Sequence, residues 1–177
     1  MNKTKLNEYL DIAKKLIAKD GNLTPVVFLD VAKSEKPIIL GLPGISSEQI
    51  RRQFMFFKLG AEIKLAKKEV NGITFLSEAW YTKSEENKKN LVRPSDNPNR
   101  KEAIVILSSN IKGKYNFLIQ PFKMEGKEVV FEKENKKTKT DKKDKAGTIE
   151  DNILKWFWRG YEAAIKIEKE RAVENKN

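Results

Sequence analysis

The residues of this chain best suited to chemistry are Glu78, Asp96, Arg100 and Glu102. They lie in Ser77-Glu78-Ala79-Trp80 and in the stretch Arg93-Pro94-Ser95-Asp96-Asn97-Pro98-Asn99-Arg100-Lys101-Glu102-Ala103. On an extended strand Leu76, Glu78 and Trp80 share one face, because side chains alternate. A carboxylate among apolar neighbours needs a partner, since a lone buried charge is costly. Arg100 is the natural one if the next strand pairs with this one. Two roles fit these residue types. The three carboxylates could hold magnesium, or the group as a whole could take a phosphate. Alternatively, Glu78 and Arg100 form a structural ion pair, while Asp96 and Ser95 bond to the backbone of a loop stiffened by Pro94 and Pro98. The structural role is the expected one, because structural pairs also perturb ionisation and mimic sites. The spacing matches no nuclease pattern.

A second cluster is aromatic. Trp156, Phe157, Trp158 and Tyr161, with Arg159 among them, spread around most of a helix. A single packing surface hardly covers such a spread. Ile153, Phe157, Tyr161 and Ala164 form one stripe, and Leu154, Trp158 and Ile165 its neighbour. Packing on the sheet is one reading. The other makes Trp156, Trp158, Arg159 and Tyr161 an interface with a partner or a second copy, since binding hot spots favour aromatics and arginine. Gly41-Leu42-Pro43-Gly44 precedes a helix but lacks the Gly-Lys-Ser/Thr ending of a phosphate loop, and Pro43 removes a donor.

Composition narrows the chemistry further. The chain has no histidine and no cysteine. That excludes serine–histidine catalysis, HExxH zinc sites, thiolate zinc sites and disulfides. The absence of cysteine fits a reducing cytoplasm. No metal site, catalytic residue or cofactor is expected. Met1 to Asp20 lacks the continuous apolar stretch of a signal peptide, and no run approaches the roughly 20 apolar residues of a membrane helix. The net charge of +11 raises the question of an anionic partner. Lys133–Lys145 holds seven lysines against three acids, whereas Thr148–Asn177 has six bases and six acids. A diffuse charge with one Lys-rich stretch is weaker evidence for nucleic acid than a basic face on a helix.

The elements that must position these residues follow from periodicity. Leu6, Tyr9, Leu10, Ala13, Leu16 and Ile17 recur at helical spacing, and Asp20-Gly21 ends that helix. Val26–Val31 is a nearly continuous apolar strand, expected to be covered on both faces. Pro37–Leu40 forms a hairpin with it. Ser46 and Ser47 are candidate caps of a second helix. Its inner stripe is expected to be Ile50, Phe54, Phe57, Ala61 and Leu65, widened by Met55, Leu59 and Ile63, with Asn71-Gly72 as its stop. Strands are expected at 73–81, 103–107, 115–120 and 128–131, with a polar loop over 84–100.

The chain of 177 residues therefore divides into an α+β domain over 1–132, a Lys-rich flexible linker over 133–147, and an aromatic amphipathic helix over 148–177. The order is α-β-β-α-β-β-β-β-α. It implies a mixed, largely antiparallel sheet of five to six strands with helices packed on it. Roadblock and profilin-like domains share this order, an analogy of fold that carries no function.

Three pieces carry a further likeness: the Gly21…Pro25 entry to the first strand, Ser77-Glu78-Ala79-Trp80, and the Pro-Ser-x-x-Pro-x-Arg-x-Glu-Ala stretch at 94–103. Over roughly residues 20–132 the chain resembles an uncharacterised family of small bacterial and phage proteins. The resemblance implies a fold unit and a phage or mobile-element setting, with no activity attached. The expected function is a non-enzymatic binding or accessory module. Its partner is expected to be a protein or a second copy, with weak, non-specific nucleic-acid binding second and no membrane. The competing expectation is a carboxylate-dependent, metal-using enzyme such as a nuclease.

Overall fold

The computed structural model describes residues 3–45, 48–81, 100–126, 128–132, 135–139 and 153–174. Along the chain they form α1 (Lys3–Asp20), β1 (Val26–Val31), β2 (Ile38–Gly41), α2 (Gln49–Leu65), β3 (Val70–Tyr81), β4 (Lys101–Asn110), β5 (Tyr115–Glu125), β6 (Glu128–Phe131), β7 (Asn135–Lys139) and α3 (Ile153–Glu174). The fold is α+β, and its element order is the expected one with β7 added.

The sheet runs β2-β1-β3-β4-β5-β6, and β7 pairs with β5. Every pairing is antiparallel. The helical crossover does not make the sheet mixed, because α2 carries the chain across β1. Strands β2 and β3 point the same way but lie on either side of β1, which opposes both.

Alternation along the strands builds two cores, one on each face. Phe28, Leu76, Ile104, Ile106, Leu118 and Phe122 meet Leu6, Tyr9, Leu10, Ala13 and Ile17 of α1. Tyr9 stacks on Phe28 with ring centroids 4.1 Å apart. Val27, Leu29, Ile73 and Phe75 face the other way and meet Phe56 of α2 and Leu154, Phe157, Trp158 and Tyr161 of α3. This is why β1 reads as unbroken apolar sequence: it is covered on both sides.

Helices α2 and α3 cross at a pair of glycines. A side-chain carbon on Gly60 would overlap the Phe157 carbonyl, and one on Gly160 would overlap the Phe57 carbonyl. Backbone meets backbone here, so only glycine fits at either position.

Three expectations are corrected. The expected inner stripe of α2 faces outward at Ile50, Phe54 and Leu65. The buried side is Phe56 and Gly60, flanked by Met55, Leu59 and Ile63. Asn71-Gly72 does not stop α2. The helix ends at Leu65, and Lys67 takes the left-handed conformation at φ 57°. Gly72 lies within β3 opposite Asp30, beside a register shift, and a Cβ on it would come within 3.3 Å of the Asp30 carboxylate. Finally, Asn135–Lys139, expected in a flexible linker, is strand β7 on the open edge of β5. Lysines suit that position, because they deter further strands from adding to an edge. The expected caps Ser46 and Ser47 lie outside the described residues; the residue before α2 is Glu48, whose side chain makes no capping bond.

Candidate functional site

The β3–β4 register sets the first expected site. Glu78 lies opposite Ile104, and Trp80 opposite Glu102. Glu78, Trp80, Arg100 and Glu102 therefore share the face that α1 covers. They lie beyond Leu76 and Ile104, outside that cover. Glu78 is exposed rather than buried. Partial desolvation holds its carboxyl above the usual range. A hydrogen bond from the Leu23 backbone N–H opposes this, and the charge of Glu102 adds to it. The Arg100 guanidinium lies over the Trp80 ring, 4.5 Å from its centroid. The expected buried Glu78–Arg100 pair is thus replaced by an exposed carboxylate and a cation–π contact. The physical reason is the path of the chain, which leaves α1 at Asp20 and closes the layer at Leu23. Asp96 lies outside the described residues. Among the described residues, no group of three acidic side chains comes together to hold a metal ion.

The aromatic cluster of α3 divides in two. Trp158 is buried, and its indole N–H donates to Ser109 Oγ at 2.7 Å. Tyr161 is buried, donates to the Lys68 carbonyl at 2.9 Å and accepts from the Val70 N–H at 3.2 Å. These two expected interface residues dock α3 on its own sheet, because their polar tips find partners there. Trp156 is half-buried, and the exposed Arg159 lies over its ring at 4.6 Å.

A surface that the sequence reading had placed inside lies next to it. On α2, Ile50, Phe54, Phe57, Ala61 and Leu65 follow one another at spacings of four, three, four and four, which is one stripe of a helix. Ile50 is 78% exposed, Phe54 67% and Leu65 48%. Phe57 and Ala61 are half-buried at the crossing with α3. On α3, Trp156, Gly160, Ala163 and Ile167 share a stripe by the same periodicity, and Gly160 sits at that crossing. Ile167 is exposed. The outer side of α2 is therefore apolar, whereas α3 exposes mainly Lys155, Arg159, Glu162, Lys166, Lys169 and Glu170 around Ile167. The sequence did contain a signal: α2 carries two apolar stripes, Ile50-Phe54-Phe57-Ala61-Leu65 and Met55-Phe56-Leu59-Ile63, more than one packing surface uses.

A shallow depression lined by Asp30, Asn71, Gly72, Asn110, Ile111 and Lys112 opens at one end of the sheet. Its polar groups serve the fold. Asp30 pairs with Lys5 at 3.1 Å, and Asn110 Oδ1 accepts from the backbone of Lys112 and Lys114. No helix among the described residues is long and apolar enough to cross a membrane.

The family model described as bacteriophage lambda protein ea47 matches residues 1–150. Helix α3 begins at Ile153, beyond the matched residues. No curated protein and no solved structure matches the chain.

Proposed function

The chain belongs to the bacteriophage lambda ea47 family, and from that premise we propose that it is a phage accessory protein that works by binding another protein. The observation that carries this reading is the outward stripe of α2. Large apolar side chains scattered singly on a surface need no explanation, but a contiguous patch marks an interaction site. Ile50, Phe54 and Leu65 are such a patch, on a helix whose opposite side already supplies the packing. The net charge of +11 adds a weak, electrostatic affinity for nucleic acid. That affinity is secondary, because the described helices mix bases with acids.

Site-specific photo-crosslinking during phage growth tests the reading. A crosslinker at position 54 should give a discrete protein adduct, and one at Lys15 on the solvent side of α1 should not. Equal labelling at both positions, or none at position 54, would reject it.

A further inference from the structure

Positive charge without a partner concentrates at one end of the sheet. Because every pairing is antiparallel, β1 and β4 run toward that end, while β2, β3 and β5 start from it. Three connections meet there: 32–37 between β1 and β2, 66–69 between α2 and β3, and 111–114 between β4 and β5. Main-chain bonds tie them together. The Ala32 N–H donates to the Glu69 carbonyl at 2.7 Å, and the Ile111 N–H to the Asn71 carbonyl at 3.2 Å. The three connections carry Lys33, Lys36, Lys67, Lys68, Lys112 and Lys114 against Glu35 and Glu69. All six lysines are exposed, and among the described residues none of them forms an ion pair or lies over an aromatic ring. Asp30, in the depression at this end, is already matched by Lys5. Strand β7 finishes at the same end, with Lys139 opposite Tyr115. At the opposite end, the connecting residues 21–25 and 42–45 carry no charge.

We propose that this end of the sheet is a binding site for the phosphate backbone of double-stranded nucleic acid, engaged without regard to base sequence. From the β1–β2 loop to the β4–β5 loop is three strand spacings, about 15 Å. A duplex carries one negative charge per ~1.7 Å of its axis, so it presents several phosphates along that row. The chemistry of the loops points to the backbone rather than the bases. They hold no arginine to fork onto a guanine edge, and no aromatic residue on which single-stranded bases would stack. Lysine instead meets phosphate as a compact point charge on a flexible stem. A protein partner fits this end poorly. A protein interface has an apolar centre, and in these loops Ile111 is the one exposed large apolar side chain. The surface is built from loops and is independent of the α2 stripe.

The test measures binding of the full chain to a short random-sequence DNA duplex over a range of salt. Lys36→Gln, Lys68→Gln, Lys112→Gln and Lys114→Gln are combined in one variant. A control variant loses the same number of charges elsewhere, through Lys15→Gln, Lys19→Gln, Lys58→Gln and Lys123→Gln; these lysines are exposed too. Wild-type affinity should fall steeply with salt. The loop variant should bind about tenfold or more weakly at low salt, with a salt slope shallower by about one for each lysine that meets a phosphate. The control should keep most of the affinity and of the slope. Matching circular dichroism melts of all three proteins should show that no loss comes from unfolding. Equal loss in both variants would make the affinity a property of net charge and remove the site. Three other results would also overturn the proposal: no binding of wild type at low salt, tighter binding to the single strand than to the duplex, or loop-dependent binding to phosphatidylserine vesicles as tight as to the duplex.

Discussion

One face of the sheet is covered by a single helix, α1, and the other by the close pair α2 and α3, and the two layers differ on their outward sides. On α1 the solvent side is mostly polar, with Glu8, Asp11, Lys15 and Lys19 exposed. Its apolar residues face in, apart from Ile12 and Leu16 on one flank. On α2 the most exposed large apolar residues of the chain's described part stand opposite the buried side. Both layers bury enough to hold the fold, so packing does not account for the second apolar side. That second side is the surface on which the proposed binding role rests.

The contact that most sharply separates the two layers is the glycine crossing. Alanine at position 160 is a better helix former than glycine by about 0.5–1 kcal/mol. Yet its methyl would meet the Phe57 carbonyl, and main chain cannot rotate away as a side chain can. Gly160→Ala should therefore lower stability by about 3 kcal/mol in a urea titration, at the upper end for overpacking. Unchanged stability would mean that α2 and α3 are not in backbone contact, and the contrast between the layers would lose its basis.

The α1 layer has a titratable group where the comparison can be sharpened. Burial pushes the Tyr9 hydroxyl up to about 12 from 10.0, with the charges of Asp30 and Glu8 adding to it. The folded state thus favours neutral tyrosine. The contribution is complete below the unfolded value and is lost as pH rises from about 10 to about 12. Tyr9→Phe should remove that part of the alkaline loss when stability is followed by circular dichroism across this range. Tyr115, on the other face, is also raised by burial, but Arg159 opposes the shift. Its replacement by phenylalanine should therefore change the alkaline limb less. Equal effects of the two substitutions would show that the layers do not differ electrostatically.

Much of this fold was legible because strands and α1 carry unambiguous periodicities. Val26–Val31 is apolar on both sides and sits between two layers. Leu6, Tyr9, Leu10, Ala13 and Ile17 point one way and pack there. The side of α2 was not legible, since Ile50-Phe54-Ala61-Leu65 and Met55-Phe56-Leu59-Ile63 are both valid apolar stripes. Gly60 decides between them, and a glycine adds nothing to a hydrophobic pattern. Its importance exists only once Gly160 arrives from a helix about a hundred residues later. Strand β7 was hidden for a related reason. Its lysines read as a solvated segment, and Asn135–Lys139 has no apolar alternation by which a strand is recognised. The placement of Glu78 was half legible: alternation gave its face, but not the point where α1 ceases to cover it.

Glu78 carries the smallest expected effect and the most specific test of where the α1 layer ends. A carboxylate buried against Arg100 would make its removal cost on the order of 3–5 kcal/mol, by leaving an unpaired charge. The structure gives a different expectation. Glu78 is exposed, and desolvation together with the neighbouring charge of Glu102 raises its pKa despite the Leu23 N–H. A raised folded value means that the protonated form is the one the fold favours. Its contribution is present in acid and lost as pH rises through the folded value. At neutral pH the ionised group is therefore slightly less at home in the folded chain than in the unfolded one. Glutamine keeps an oxygen to accept from Leu23 and removes the charge that faces Glu102. Glu78→Gln should thus leave the melting temperature at neutral pH unchanged or raise it a little. Wild type and variant should converge in acid, where the wild-type carboxyl is itself neutral. A large fall in melting temperature at neutral pH, disappearing in acid, would instead mean that the carboxylate has a cationic partner, and that the α1 layer extends over this end of the sheet.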